Sequence, residues 1–262
     1  MSERLGAEAD LLERDWEFIL DSVYRINLTK DIPTFAQESL ACLCTLIPCV
    51  QGTFFPFSEE RGFYDAYCIG KKANRFDEFL NGDYQDDLYF KLMTVKKFPY
   101  SFRDSDLVPE NIFLKSRLYN EIYVPEGIYW ALRIELMNQD RLSGQYALFN
   151  TKEQGDFTER DVRIGNLFAR HLSLKLDSLQ LDEGARSEQK LRIEQLAEAH
   201  QLTQREAQVA ELVAEGMADS EIAELLFVSL STVKKHLYNA YAKLKVNNRA
   251  QLVSLVSGHG RK

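Results

Sequence analysis

LTQREAQVAELVAEGMADSEIAELLFVSLSTVKKHLYNAYAKLKVNNRAQLVSLV, residues Leu202 to Val256, reads as four short amphipathic segments separated by brief breaks. Thr203 followed three residues later by Glu206 is a capping box, in which each side chain accepts from the other's otherwise unpartnered backbone N–H. A first helix is therefore predicted to start there, with Gly216 ending it. Asp219 is placed to cap a second helix carrying Ile222, Ala223, Leu225 and Leu226, the segment Phe227 to Leu230 interrupts the period, and Ser229 caps a third. In that third helix Val233, Leu237, Ala240 and Leu244 recur at steps of three and four, which places them on one buried face.

The other face of the third helix carries the functional expectation. At about 100° per residue, Ser231, Lys235 and Tyr238 point away from the apolar stripe, with Lys234 on its flank. Two helices joined by a tight turn, the second offering a polar and basic start, fit a major groove wide enough to admit one helix. Charge supports this over a small bundle with solvated lysines. Glu224 is the last acidic side chain, so Leu225 to Lys262 holds seven Lys or Arg and no acid. Residues 200–262 carry a net charge of +2 and residues 1–199 one of -10, within a total of -8. The acidic whole disfavours indiscriminate phosphate binding and leaves the basic helix as the expected contact.

These residues resemble the C-terminal DNA-binding domain of LuxR-type transcriptional regulators. The matching elements are Leu202-Thr203-Gln204-Arg205-Glu206, Gly216, Glu221-Ile222-Ala223, Leu226, Ser229, Thr232-Val233-Lys234, His236, Lys243-Leu244 and Arg249. The resemblance implies an all-α, four-helix helix-turn-helix domain over 201–262, with the third helix in the major groove and the fourth often dimerising. It implies that Lys234, Lys235 and Tyr238 approach base edges, while Thr232 and His236 lie near phosphates or support the helix. Ala218 departs from the family, which often has Ser before the second helix.

The rest of the 262 residues, with 45% hydrophobic content overall, suffices for a second, larger domain. No apolar run is long enough to span a bilayer and the N-terminus has neither the basic start nor the apolar core of a secretion signal, so a cytoplasmic protein is expected. Cys42, Cys44, Cys49 and Cys68 match no zinc spacing, and the first three sit in or beside an apolar run where Cys acts as a small hydrophobe. Cys42 and Cys49, seven apart, could share a helix face, but no cationic neighbour in the sequence would lower a thiol pKa for redox sensing. The four histidines form no metal cluster, and no cofactor or catalytic constellation is expected.

Residues 9–28 and 32–47 have helical spacing, the second segment ending at Pro48. Val50–Phe57 and Phe63–Ile69 read as a hairpin broken near Glu59–Gly62, and Asn74–Asn81 as a helix. Gly82–Glu126 is irregular and aromatic, with a short helix near Phe113–Ile122. Ile128, Trp130, Leu132, Ile134 and Leu136 alternate with Tyr129, Arg133 and Glu135, predicting a strand with one buried face, a turn at Asn138–Gly144 and a return strand at Gln145–Phe149. Thr158 and Asp161 cap a long helix through Leu179. Ser178–His200, with Gly184 as a break, reads as a linker over 181–200.

An α+β domain over 1–180, an antiparallel sheet with helices, follows. From Ile128 to Leu176, including GDFTERDVRIGNLFARHL, it resembles a GAF-type domain. The resemblance implies a sensor with a ligand-sized pocket, for which Phe54, Phe55, Tyr64 and Trp130 are candidates, each also explicable as core. A phospho-acceptor receiver is disfavoured by the two opening helices and by Asp86-Asp87 following no apolar strand. The stretch FDEFLNGDYQDDLYFK faintly resembles the acyl-homoserine-lactone domain of quorum sensors but lacks its tryptophan. The alternatives are a non-sensing dimerisation or recruitment module and a small-molecule hydrolase. Expected partners are double-stranded DNA, a second copy, RNA polymerase and a small-molecule ligand, with no membrane. The Leu172, Leu176, Leu179 series hints at a helix pair between two subunits, but its heptad is short and burial within the domain explains it better; Leu252, Leu255 and Val256 offer a second candidate dimer surface.

Overall fold

A computed structural model describes residues 11–70 and 100–258. The expected helix at Asn74–Asn81, Asp86-Asp87, the lactone-like stretch, Arg261 and Lys262 lie outside them. The chain divides into two compact units, Met1–Gln180 and Leu181–Lys262.

The first unit opens with α1 (Glu13–Asn27) and α2 (Ile32–Leu46). Asp15 accepts from the Leu12 N–H at the start of α1, and Asp31 accepts from Thr34 N–H at 2.7 Å to cap α2. Strands β1 (Gln51–Ser58), β2 (Gly62–Phe63), β3 (Tyr67–Gly70), β4 (Ser101–Arg103), β5 (Trp130–Asn138) and β6 (Arg141–Asn150) form one antiparallel sheet of order β2-β1-β6-β5-β4, with β3 also paired to β1. The second expected strand is split: Asp65 adopts a left-handed φ of 50°, so β3 and β2 share the outer edge of β1 at different heights. Between β4 and β5 lie the short α3 (Asp104–Leu107) and α4 (Glu110–Phe113), then a π-helical turn, Tyr119–Tyr123, running into α5 (Val124–Glu126).

The strongest sequence signal, the alternation in β5, is half corrected. Leu132, Ile134 and Leu136 face a core made with Ile26, Phe35, Leu43, Phe54 and the long helix that follows β6. The opposite face, expected in water, is also covered: Ala131, Ala147, Phe102 and Phe149 pack under Leu107, Phe113, Ile122 and Tyr123. Arg133 is buried there because it has a buried partner. Its Nε donates to Asp104 Oδ1 at 3.0 Å and its Nη2 to Tyr123 Oη at 2.9 Å, while Tyr123 donates to Asp104 Oδ2. The turn is tighter than the polar run suggested. Pairing continues to Asn138↔Arg141, with Gln139 at φ 54° and an irregularity beyond Leu136 absorbing the extra residue.

Helix α6 (Glu159–His200) starts where expected, Thr158 and Asp161 exchanging hydrogen bonds at 2.8 to 3.3 Å. A Cβ at Gly165 would collide with Ser101, so glycine lets this helix close on β4. Gly184 does not break it. A single exposed glycine costs about 1 kcal/mol in a helix, too little to stop one supported at both ends. Leu172, Leu176 and Leu179 are buried in the first unit's core, and Ile193 in the second's, so part of the expected linker is core. All four cysteines are free thiols, Cys42 being buried, with burial pushing its thiol up. Among the described residues no group of His, Cys, Asp and Glu could hold a metal ion, and no helix is long and apolar enough to cross a membrane.

Candidate nucleic-acid interface

The second unit adds α7 (Gln204–Ala214), α8 (Asp219–Leu225), α9 (Leu230–Leu244) and α10 (Arg249–Val256) to the end of α6. Val209, Val213, Ile222, Val233, Leu237, Leu252 and Val256 form its core with Ile193. The capping box of α7 is formed, Thr203 N–H donating to Glu206 Oε2 at 2.9 Å and Glu206 N–H to Thr203 Oγ1 at 3.3 Å. Gly216 ends that helix at φ 91°, a left-handed conformation costly for any other residue but Asn or Asp. Asp219 does not cap α8. Ala218 occupies the cap position with no side-chain acceptor, and Glu221 supplies half a box by accepting from Ala218 N–H at 2.6 Å.

That leaves Asp219 free to bind Arg249, whose Nη1 lies 3.0 Å from its Oδ1 and whose Nη2 donates to the Met217 carbonyl. Lys243 is committed in the same way: its Nζ donates to Glu206 Oε2 at 2.6 Å and to the Gln201 carbonyl at 2.9 Å. Burial alone would raise the Glu206 pKa, but Lys243 and Thr203 overcome it and hold the carboxyl below its ordinary range. Two of the seven basic residues counted towards a DNA surface are thus internal struts. The count could not separate struts from contacts, because it weighs charge without partners.

Helix α9 begins at Ser229, whose Oγ accepts from Thr232 N–H at 3.1 Å and lies 2.8 Å from the Ser231 and Thr232 hydroxyls. Val233, Leu237, Ala240 and Leu244 are buried. Ser231, Lys234, Lys235 and Tyr238 are exposed, Tyr238 by 75%; Thr232 and His236 are half-buried on the flank. Lys234, Lys235, His236 and Tyr238 hold no hydrogen bond or ion pair among the described residues. The face therefore gathers Ser231, Lys234, Lys235 and Tyr238, with Thr232 and Ser231 partly engaged in the cap. Sequence reasoning missed its apolar border, Leu225, Phe227 and Leu230, exposed by 52, 95 and 44%. Phe227 sits in the turn at φ 54°, and its place where the helical period fails was the available signal.

Residues 200–256 match the family described as "Bacterial regulatory proteins, luxR family". This segment is a LuxR-family helix-turn-helix domain. The LuxR-type match extends to whole regulators only in part. The CsgBAC operon transcriptional regulatory protein of Escherichia coli is 43% identical over 61 residues, 23% of this chain and 28% of that protein. The transcriptional regulatory protein LiaR of Bacillus subtilis is 46% identical over 50 residues, 19% of this chain and 24% of that protein. The chain thus spans under a third of the length of these relatives. The VqsR LBD domain from Pseudomonas aeruginosa aligns over 63% of this chain and 97% of its own, at 14% identity and a TM-score of 0.48. The GAF domain of a phosphoenolpyruvate-protein phosphotransferase from Coxiella burnetii aligns over 65% and 96%, at 15% identity and a TM-score of 0.48.

The first unit holds a cavity of about 200 Å³ lined by residues that include Asp104, Val108, Glu110, Phe113, Tyr129 and Trp130. Tyr129 donates to Glu110, which pushes the phenol up to about 12. The Trp130 Nε1–H is buried and donates to no described residue. Of the four candidate pocket residues the structure brings only Trp130 here. Phe54 stacks on Tyr146, centroids 4.5 Å apart, in the helix-side core; Phe55 lies in the opposite core against Phe63 at 6.2 Å. Successive strand residues face opposite ways, so these two could never have lined one pocket. Tyr64 lies under the Arg61 guanidinium at 3.8 Å and accepts from Gln180 at 3.1 Å.

Proposed function

We propose that the chain is a cytoplasmic transcriptional regulator that binds duplex DNA as a homodimer, laying α9 in the major groove. The observation that carries this reading is the exposed face of α9: Lys234 and Lys235, free of any partner among the described residues, flank Ser231 and Tyr238 opposite the buried stripe. Lysines already paired would have to break those pairs before meeting a phosphate or a guanine; these do not. In this reading Lys235 and Lys234 reach base edges, Tyr238 offers a flat apolar contact, and Thr232 and His236 stand beside the backbone. A dimer requires two half-sites about one helical turn apart. The test is selection of duplexes from a random pool by the full chain. Enrichment of a roughly palindromic sequence supports the reading, and a pool that stays random overturns it.

We further propose that residues 1–180 are a sensor domain that modulates this binding, and that 201–262 read DNA and contact RNA polymerase. The supporting observation is the cavity, apolar in most of its wall, whose lining also includes Glu110, the Tyr129 phenol and Trp130, the last with an indole N–H lacking a partner among the described residues. Such a mixture suits a small ligand offering both an apolar body and a polar head. A recruitment or dimerisation module is the competing reading. It predicts that filling the cavity by Val108→Trp leaves DNA affinity unchanged, whereas a sensor responds with a change of several fold.

A further inference from the structure

Helix α1 has two kinds of apolar residue. Ile19 and Ile26 are buried in the core, while Leu12, Trp16, Leu20, Tyr24 and Leu28, in and beside the helix, keep 54, 39, 68, 65 and 61% of their surface exposed. They recur at steps of four, with Glu13, Arg14, Glu17, Asp21 and Arg25 at intervening exposed positions. On α6, next in sequence to Lys175, Leu174 is 69% exposed. The two helices are tied together by the Arg160–Asp15 ion pair at 2.9 Å and by Lys175 Nζ donating to the Asn27 carbonyl at 3.1 Å. Soluble monomers seldom leave so long a run of large apolar side chains in water, and a contiguous patch of this kind marks an interaction site.

We infer that this row is the homodimer face, its occupant the same row on a second copy of the chain. Positions four apart form a ridge on a helix surface, and such ridges pack into one another when two helices cross at about 50°. That packing needs the same type of row on both helices, a condition a second copy meets without further design and a two-fold axis satisfies. Six large apolar residues, five of them more than half exposed, offer an area on the order of the roughly 800 Å² that each partner contributes to a standard interface. Arg25, in the last turn of the helix, is already paired with Asp21 at 3.0 Å and Glu38 at 3.3 Å. Both series that the sequence offered as dimer seams have their main members inside: Leu172, Leu176, Leu179, Leu252 and Val256 are buried.

The inference rests on the reading that the chain acts as a dimer and assigns the surface. Its test is light scattering of the full chain over a concentration series, with circular dichroism confirming the fold of each variant. Leu20→Glu places a charge at the middle of the ridge and should weaken dimerisation by about 100-fold or more. Tyr24→Glu repeats the test at a second ridge position, and Leu191→Glu, at an exposed residue of α6 remote in sequence, should change it by less than about threefold. Folded ridge variants that dimerise like the unaltered chain overturn the inference, as does an unaltered chain that stays monomeric at tens of micromolar. A dimer that depends on Leu20 but selects no DNA sequence leaves the inference standing and removes the functional reading instead.

Discussion

In the sheet unit, Arg133 and Asp104 form an ion pair with both side chains 4% exposed, closed over by Tyr123 and Phe149. In the helical unit, Lys243 and Glu206 are 35% and 5% exposed, and Arg249 and Asp219 37% and 30%. The first pair is enclosed, with each charge depending on the other for its solvation. The others stand at the edge of water, where solvent can replace a lost partner on one side. The same chemical device therefore has different consequences: in the sheet unit it locks the α3 segment onto the sheet, and in the helical unit it pins helix ends together, the end of α9 among them, without engaging Lys234, Lys235 or Tyr238 on the exposed face of α9.

The difference can be broken at either end. Asp104→Ala strands a buried guanidinium and should destabilise the first unit by about 3–5 kcal/mol, whereas replacing both partners by Leu and Met should restore much of that loss. Thermal or urea unfolding followed by Trp fluorescence would show it; equal losses for the single and double variants would make the pair a packing element only. Glu206→Gln, at a pair half open to water, should cost the helical unit about 2 kcal/mol.

Glu206 also sets a pH dependence. Its folded pKa is lowered, so the unfolded chain binds the extra proton first as pH falls. The stabilisation is full above the ordinary glutamate range and is lost as pH drops through that range to the folded value. Lys243→Met should flatten this acid limb of the second unit's unfolding profile, and an unchanged limb would assign it to other carboxylates. Smallest, Ala218→Ser supplies the missing cap acceptor at φ -69°, ψ 154° and should stabilise the same unit by about 1 kcal/mol. No gain in melting temperature would mean that Glu221 already satisfies the helix start.

The helical unit was legible because its signals are local. Thr203 and Glu206, Ser229 and Thr232, and the spacing of Val233, Leu237, Ala240 and Leu244 lie within one or a few turns, and the structure forms all of them. The misplaced cap at Asp219 and the free status granted to Lys243 and Arg249 share one cause: their partners lie 30 or more residues away, at Arg249, Glu206 and Asp219. The sheet unit hides more for the same reason. Alternation located β5, yet nothing near Arg133 announced Asp104, 29 residues earlier, or the second apolar layer that buries that face. The cavity arises from the irregular stretch around Pro109, where periodicity carries no information. Only Trp130 was in view.

The measurement that bears most directly on the central claim is DNA affinity of the full chain and of Lys235→Ala, on the selected duplex and on a scrambled one, across a salt series. If α9 reads bases through Lys235, the variant loses about 1–3 kcal/mol on the selected duplex and much less on the scrambled one, so discrimination falls. Equal loss on both duplexes, with a salt slope reduced by about one, would make Lys235 a phosphate contact. No loss on either would contradict the placement of this face against DNA.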